Sequence, residues 1–559
     1  MSGLVTALAL TALQAGTSPA GPDSVELHRA MIAAQRRFEF ARRRLLPIST
    51  AGTGRCDERV GRFCYWYDPE EPPPPEEPMS IREERERFLS RLADAAEQLP
   101  GDEWILAQRV RYLVEHGAND SAATIARGCD TWWCEALEGF ALHVKGDVAG
   151  SEQSFTAMLS QMPSEERCRW NDLELVLEPD DREPYQRLDC GQRDSANAVL
   201  FWRATPLFAR GGNDTRTEWY ARQVLVRALD RAITHHGMRL GGDLREILIR
   251  YGWATAYGRR PNPYGGFEEV DVVGHEPKPA YPFLGFDSRG RWPPEPDRPR
   301  ARFAPVFASL IAPLDDVQLA RFRRDDSVIV VAGFRAGRDT LFRAPQLEIT
   351  LAFSAGPDVP VRVRRQRIAD REGGLMVAGS SLTGSVSLEL ADSVHRSWAV
   401  HRVHYLEAPE GMSDLLLTRT RDELPGSLSE AAEAAWPGSR LEQGSTVGLY
   451  WESYGHAAGD SLLQVGLTVE PVRPGFLGRV GQSLGLRRRV PPLRLAWSQR
   501  QEGTTAVTGH AVEVDLSRLA PGSYLLLVEM GGDRRAGRSI EIVRASRVVS
   551  REPAGAERR

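Results

Sequence analysis

The spacing of apolar residues changes once along this chain, near residue 300, and that change limits the architecture more than any other feature. Before it the stripes are helical: Val25, Leu27, Met31, Ala34, Phe38 and Ala41 over residues 24–47, then Phe88, Leu92 and Ala95, then Trp104, Ala107, Val110 and Leu113. After it the period is two, as in half-buried strands. One layer cannot satisfy both periods. The chain is therefore expected to be multidomain, with an α-helical N-terminal half and an all-β C-terminal half. Its 559 residues leave room for three or four domains of ~150 residues. Pro293 to Pro305 is too rich in proline for a regular ladder. A cut near residue 300 is expected to give two independently folding halves.

The first twenty residues have the layout of a signal peptide. Leu4 to Leu13 is an apolar run, followed by small and polar residues with cleavage sites after Ala15 or Ala20. No Lys or Arg precedes Leu4, which departs from that layout, and the run is too short to span a membrane. All six cysteines lie before residue 191. An even number in an exported chain favours disulfides, and the sequential pairing is Cys56–Cys64, Cys129–Cys134 and Cys168–Cys190. Seven, four and twenty-one residues intervene, and no His stands beside them, which disfavours zinc; free buried thiols are the remaining alternative. The expected location is periplasmic or secreted, with no membrane span. The net charge of -5 is small, and lysine occurs only at Lys145 and Lys278. That balance points away from nucleic acid as a partner.

Residues 21–79 read as a helix plus a disulfide-bearing irregular segment, closed by a Pro/Glu-rich linker from Glu70 to Pro78. Over 80–164 the chain alternates helix and turn, with Ser80 and Glu83 spaced as a capping box. Glu-rich 83–86 reads as a solvated face. Thr131 to Pro163 carries Trp133, a Gly139-Phe140-Ala141 step, a Gly146-Asp147 turn and a terminal Pro163. This stretch resembles a tetratricopeptide repeat, which implies helical hairpins with small residues between paired helices.

Residues 165–290 carry Phe201-Trp202, Pro206, Asn213, Glu218, Tyr220 and Arg222, then Met238 and Asp243, and close on Ile249-Arg250-Tyr251-Gly252, read as the end of a strand. The order resembles the GWxTD domain of exported bacterial proteins, and implies a mixed α/β middle region. Met238 stands where that family has Trp, Gly242 where it has Thr, and Leu244-Arg245 where it has Arg-Gly. The family supplies no catalytic residue. Gly258 to Pro299, dense in proline, glycine and aromatics, is expected to be a long loop or linker.

Strands are expected at 327–334, 346–353, 359–368, 375–378, 385–390 and 400–406, forming a β-sandwich over 300–425. After a helical or loop insert at Leu428 to Ala435, a second set runs 446–454, 462–469, 493–498, 511–516, 524–529 and 539–543. Pro521-Gly522-Ser523-Tyr524 resembles the turn into a late strand of immunoglobulin-like modules, so 440–548 is read as an immunoglobulin-like β-sandwich. Residues 549–559 are read as a disordered tail.

Chemistry-bearing patterns are sparse. There is no Walker loop, His-Glu-x-x-His or dinucleotide fingerprint, and no catalytic, cofactor-binding or metal-ligating residue is assigned and no cofactor is expected. His401 and His404 fall on opposite faces of a strand. His235 and His236 read as helix-end caps. Trp451 and Tyr454 read as cross-strand packing, with a sugar-binding ledge as the alternative. The candidate structural or binding cluster is Trp202, Glu218, Arg222, Asp243, Arg250 and Tyr251. In it Glu218 pairs with Arg222, Arg250 reaches Asp243, and Trp202, Tyr220 and Tyr251 share one core. The leading functional expectation is an exported, non-catalytic scaffold for an unknown protein partner, possibly in the cell envelope. The runner-up is a cell-surface carbohydrate binder or enzyme. It requires a deep pocket with perturbed carboxylates near Tyr251, Trp253 and Tyr281.

Overall fold

The structure is a computed structural model. It describes residues 22–49, 56, 58–65, 73–261, 270–276, 280–284, 299–337, 342–420, 422–455, 461–472, 492–501 and 506–544. The expected signal peptide at 1–20, the expected tail at 549–559, residues 70–72 of the Pro/Glu-rich linker and Trp292 lie outside the described residues. An N-terminal helical region precedes a C-terminal half rich in strands.

The chain divides into two compact units, but not at residue 300. The helical unit comprises Met1–Lys145, Gln153–Met162 and Tyr220–Pro277. The strand-rich unit takes Gly146–Glu152, Pro163–Trp219 and everything from Lys278. Residues 165–290, expected to form one domain, are thus shared between them.

In the helical unit, helix Pro22–Leu45 packs with Met79–Gln98 and Glu103–Glu115. Ala34 and Phe38, four residues apart, meet Phe88, Leu92, Ile105 and Tyr112 in one core. Phe38, Phe88 and Tyr112 make a ring cluster with centroids 5.1–5.5 Å apart. The capping box expected at Ser80 is absent, because the helix begins two residues earlier, at Met79 after Pro78, which supplies no side-chain cap. Asp102 does cap, accepting from the amides of Trp104 and Ile105. Helix Trp132–Lys145 brings Gly139 against the Phe155 ring. A Cβ on Gly139 would stand 2.7 Å from that ring, so a side chain there would force the helices apart.

Two expectations in this unit are corrected. Ile247 to Gly252 is not a strand but the end of helix Gly242–Tyr251. Leu244 and Leu248 bury at four-residue spacing, and Gly252 ends the helix with φ +85°. The expected loop from Gly258 begins instead as a hairpin, Ala256–Pro261 paired with Val270–His275. The irregular segment also contains a hairpin, Glu58–Val60 with Phe63–Tyr65, turning at Gly61.

In the strand-rich unit, a five-stranded sheet runs Arg362–Ile368, Leu347–Ser354, Thr383–Asp392, Ser397–Glu407, Leu310–Pro313. All pairings are antiparallel except the last. A three-stranded sheet holds Val317–Arg324, Ser327–Arg335 and Glu372–Ala378. Val330, Ala332 and Phe334 of one sheet share a core with Ile349, Leu351, Phe353, Val386 and Leu388 of the other. A second pair of sheets, with three and five strands, encloses Leu449, Trp451, Val465, Leu467, Leu526 and Ile540. Every strand expected after residue 300 has a counterpart. Val317–Arg324 was not foreseen, because Arg321, Arg323 and Arg324 crowd its second half; Gln318, Ala320 and Phe322 are buried, and Val317 and Leu319 pack against the core on the other face.

The division at 300 fails for a physical reason. Strands Leu347–Ser354 and Thr383–Asp392 are buried on both faces. Val386, Leu388 and Leu390 face the core. On the opposite face, Ser385, Ser387 and Glu389 are also buried, beneath the chain around residue 205. There Glu389 accepts from the Phe208 amide at 2.6 Å, and Arg402 donates to the Pro206 carbonyl at 2.8 Å. Trp202 donates to Ser354 Oγ at 2.7 Å and stacks on Phe208. Residues 301–550 expressed alone would expose this polar face and leave a glutamate and an arginine without their backbone partners. That fragment is expected to stay soluble but unfold without a cooperative thermal transition. A sharp melt would show that the second face needs no cover.

Candidate functional site

A cavity of about 840 Å³ lies within the helical unit. That is the size range of small-molecule sites. Helix Pro22–Leu45 supplies Arg42, Met79–Gln98 supplies Arg85, and Glu103–Glu115 supplies Arg111 and Glu115. The stretch after helix Asp214–Ala228 supplies His235 and His236. Trp253 and Tyr257 come from the chain leading into the first hairpin strand.

The polar wall is a network of buried charges. Arg42, Arg85 and Arg111 are 5%, 2% and 3% exposed, and Glu39 behind them is fully buried. Arg111 donates to Glu39 at 3.0 Å and to Glu115 at 3.1 Å. Arg42 donates to Glu115 at 2.9 Å, and Arg85 pairs with Glu77. Tyr112 Oη donates to Glu39 at 2.5 Å and accepts from Gln35 at 2.9 Å. Burial alone would raise the Glu115 carboxyl, but Arg42, Arg111 and His235 outweigh it and hold the group well below the usual range. The Nε atoms of Arg42 and Arg85 are buried and make no hydrogen bond.

The other wall is apolar and aromatic. Phe140 meets Trp253 edge to face at 5.8 Å, with Leu225, Leu229 and Leu248 nearby in the lining. His235 stacks on Tyr257 at 3.8 Å. Burial pushes His235 below its ordinary pKa, and it pushes His236, with His235 and Arg43 adding to the effect, down to about 4. Both rings are therefore neutral at pH 7. They do not cap a helix as expected, since the preceding helix ends at Ala228.

The expected cluster is not one site. Arg222, Asp243, Arg250 and Tyr251 belong to the helical unit, and Trp202 and Glu218 to the other. Arg222 is buried and donates to the Ile249 carbonyl at 2.8 Å. Asp243 pairs with Arg62 at 2.9 Å rather than with Arg250. Arg250 reaches Glu246 at 3.0 Å and Glu58. Tyr251 stacks on Tyr65 at 3.8 Å, not on Trp202, and Tyr220 meets Phe155. Trp253 and Tyr65 line the cavity, whereas Tyr281 is in the strand-rich unit.

The cysteines stand in three pairs at disulfide distance, Cys56–Cys64, Cys129–Cys134 and Cys168–Cys190, with Cα separations of 5.6, 6.0 and 5.5 Å. The central pair is feasible because Cys129 lies before helix Trp132–Lys145 and not on it. The sugar ledge is ruled out. Trp451 is 1% exposed and stacks on His510, and Tyr454 donates to Glu452. Ser453 and His510 are 2.8 Å apart but buried, so no substrate reaches them. Among the described residues no group of three or more His, Cys, Asp or Glu is placed to hold a metal ion, and no helix is long and apolar enough to cross a membrane.

Sequence reasoning missed the polar wall. Gln35, Glu39 and Arg42 repeat at four and three residues, beside the Ala34–Phe38 stripe. Gln108, Arg111 and Glu115 do the same on their helix. Arg85 lies within the 83–86 stretch read as solvated, yet follows Ile81 by four. A polar stripe adjoining an apolar stripe was the available signal.

The His236 shift sets a pH dependence. The folded protein keeps this ring neutral down to about pH 4, while the unfolded chain protonates it near its ordinary ~6.5. Its contribution is complete above about pH 6.5 and is lost as pH falls toward about 4, by on the order of 1–3 kcal/mol. Histidine NMR should show one ring titrating near pH 4 that disappears in His236→Asn, and urea unfolding of that variant should lose less stability between those limits. A His236 resonance titrating near 6.5 would refute the burial.

No family model matches the chain, and no curated protein is detectably similar to it.

Proposed function

We propose that this is an exported binding protein that performs no covalent chemistry and holds a small organic ligand in the cavity of its helical unit. The observation that carries this reading is the cavity itself, with a shifted carboxylate at Glu115 and an aromatic wall at Trp253. It moves the balance from a pure scaffold toward the ligand-binding alternative, without the carbohydrate ledge. Export is supported by the three cysteine pairs and the apolar run from Leu4 to Leu13.

The finer architecture belongs to the same proposal. Helices Trp132–Lys145 and Val148–Gln161, with Gly139 under Phe155, are read as a tetratricopeptide-like hairpin. The two pairs of sheets are read as β-sandwiches. The second is read as immunoglobulin-like, because Tyr524 Oη donates back to the Ala520 carbonyl at 2.8 Å, as in a tyrosine corner. Residues 165–290 are read as a divergent GWxTD domain. The strand-rich unit then offers surface to a protein partner of the cell envelope.

The test is native mass spectrometry of the protein purified from the envelope fraction of its parent cell. The wild type is expected to carry a noncovalent adduct of small-molecule mass. Met238 lines the cavity, so Met238→Trp should fill part of it and remove the adduct while the melting temperature holds. Only the bare mass in the wild type, or an adduct unchanged in a folded variant, would overturn the reading. N-terminal sequencing of the same sample should begin at Gly16 or Gly21.

A further inference from the structure

We infer that the ligand of this cavity is an amphiphilic anion: a carboxylate, sulfonate or phosphate carried on an aromatic or apolar body. The inference rests on the small-molecule reading above and adds the chemical class.

Three observations lead to it. First, the described lining residues are charge-asymmetric, with eight arginines and four carboxylates. The deep part is balanced: Arg42, Arg85 and Arg111 are matched by Glu39, Glu77 and Glu115. The surplus lies toward the surface, where Arg62 and Arg82 are 64% and 53% exposed and Arg43, Arg59 and Arg260 also line the space. Asp271 is 3.6 Å from Arg260, Asp243 pairs with Arg62, Glu77 is 3.8 Å from Arg82 and Glu276 also lines the space, so the surplus is one of net charge and not of unpaired arginines.

Second, the balanced part still has capacity for an acceptor. The Nε atoms of Arg42 and Arg85 are buried without a hydrogen bond, on side chains at least 95% withdrawn from solvent; Glu115 Oε2 stands 4.0 Å from the Arg85 Nε, and Glu39 Oε2, 3.7 Å from Arg42, is also without one. A buried guanidinium N–H without an acceptor is unfavourable, and an anionic oxygen is the strongest acceptor available to it. A neutral hydroxyl is a weaker one. The two histidine rings are uncharged at pH 7 and add hydrogen-bonding capacity without repelling a ligand's apolar body.

Third, another part of the lining cannot solvate an ion. Phe140, Trp253, Leu225, Leu229 and Leu248 present rings and methyls. A free inorganic anion would satisfy the arginines and leave this wall wet. A neutral hydrocarbon would cover the wall and leave the guanidinium N–H groups unanswered. A molecule with one anionic end and an apolar remainder satisfies both, and a space of about 840 Å³ has room for it.

The experiment uses the full mature chain and two fluorescent probes with one ring skeleton. Anilinonaphthalene sulfonate is anionic, and N-phenylnaphthylamine is its neutral counterpart. The sulfonate is expected to bind at least ~10-fold more tightly, with a margin that narrows as salt is raised. The double variant R59Q/R82Q changes two exposed lining arginines. It should weaken the sulfonate ~5-fold or more while leaving the neutral probe and the melting temperature unchanged. Met238→Trp should weaken both probes, which separates cavity binding from adsorption to exposed apolar surface. Equal binding of the two probes, with both lost in Met238→Trp, would refute the anion while leaving the ligand cavity standing. Absence of binding by either probe would refute both.

Discussion

Three arginines and three glutamates placed at or near the interior of one helical unit are the constraint on which the account of that unit depends. Taking an ion out of water costs several kcal/mol even after relaxation, so such groups persist only when each finds a partner. Here the partners come from three helices: Glu39 and Arg42 from the first, Arg85 from the second, Arg111 and Glu115 from the third. The network sets how those helices can pack. Sliding one of them by a turn would strand a carboxylate or a guanidinium. An apolar replacement of the whole set would fold at least as well in principle, since buried ion pairs add little net stability. What an apolar core would not provide is a cavity with one polar wall and unspent guanidinium N–H groups.

The strand-rich unit shows the same principle with the opposite result. Its five-stranded sheet has a second, polar face formed by Thr350, Ser354, Ser385, Ser387 and Glu389, whose side chains are buried, with a cavity of about 360 Å³ beside Thr350 and Glu389. Backbone groups of Thr205, Pro206, Phe208 and Ala209 answer Glu389 and Arg402. In the strand-rich unit the chain's own backbone answers these two side chains, though Arg402 Nε and Ser387 Oγ are buried without a hydrogen bond. In the helical unit buried charges answer one another, and some donor capacity likewise remains. The cavity of the helical unit is assigned a ligand because it is the larger space, about 840 Å³ against about 360 Å³ beside Glu389, and joins buried arginines to an apolar lining.

Much of the architecture was legible because it rests on periodicity. The stripe from Met31 to Phe38 and the alternation in Thr446–Tyr454 each say which face is buried without reference to anything distant. The cysteine pairing was legible because the pairs are local. The site was not legible, because its residues are polar and sequence treats polar as solvent-facing. Glu39, Arg85 and Arg111 differ from surface residues only in what other helices bring to them. Arg250 and Asp243 were matched with each other from nearness in sequence, whereas each found a partner in the Glu58–Tyr65 hairpin, some 180 residues upstream. Helix Gly242–Tyr251 was misread because Ile247, Leu248 and Ile249 form a short apolar run, and such a run does not declare its period.

Amide hydrogen exchange of the intact chain, with and without saturating anilinonaphthalene sulfonate, addresses the central claim directly. A ligand held in the cavity should slow exchange over 232–240, 252–260 and 270–276, the segments that wall it, and leave the strands at 347–407 unchanged. Protection confined to the strand-rich unit, or no protection anywhere at a concentration that saturates the fluorescence, would contradict the assignment of this cavity as the functional site.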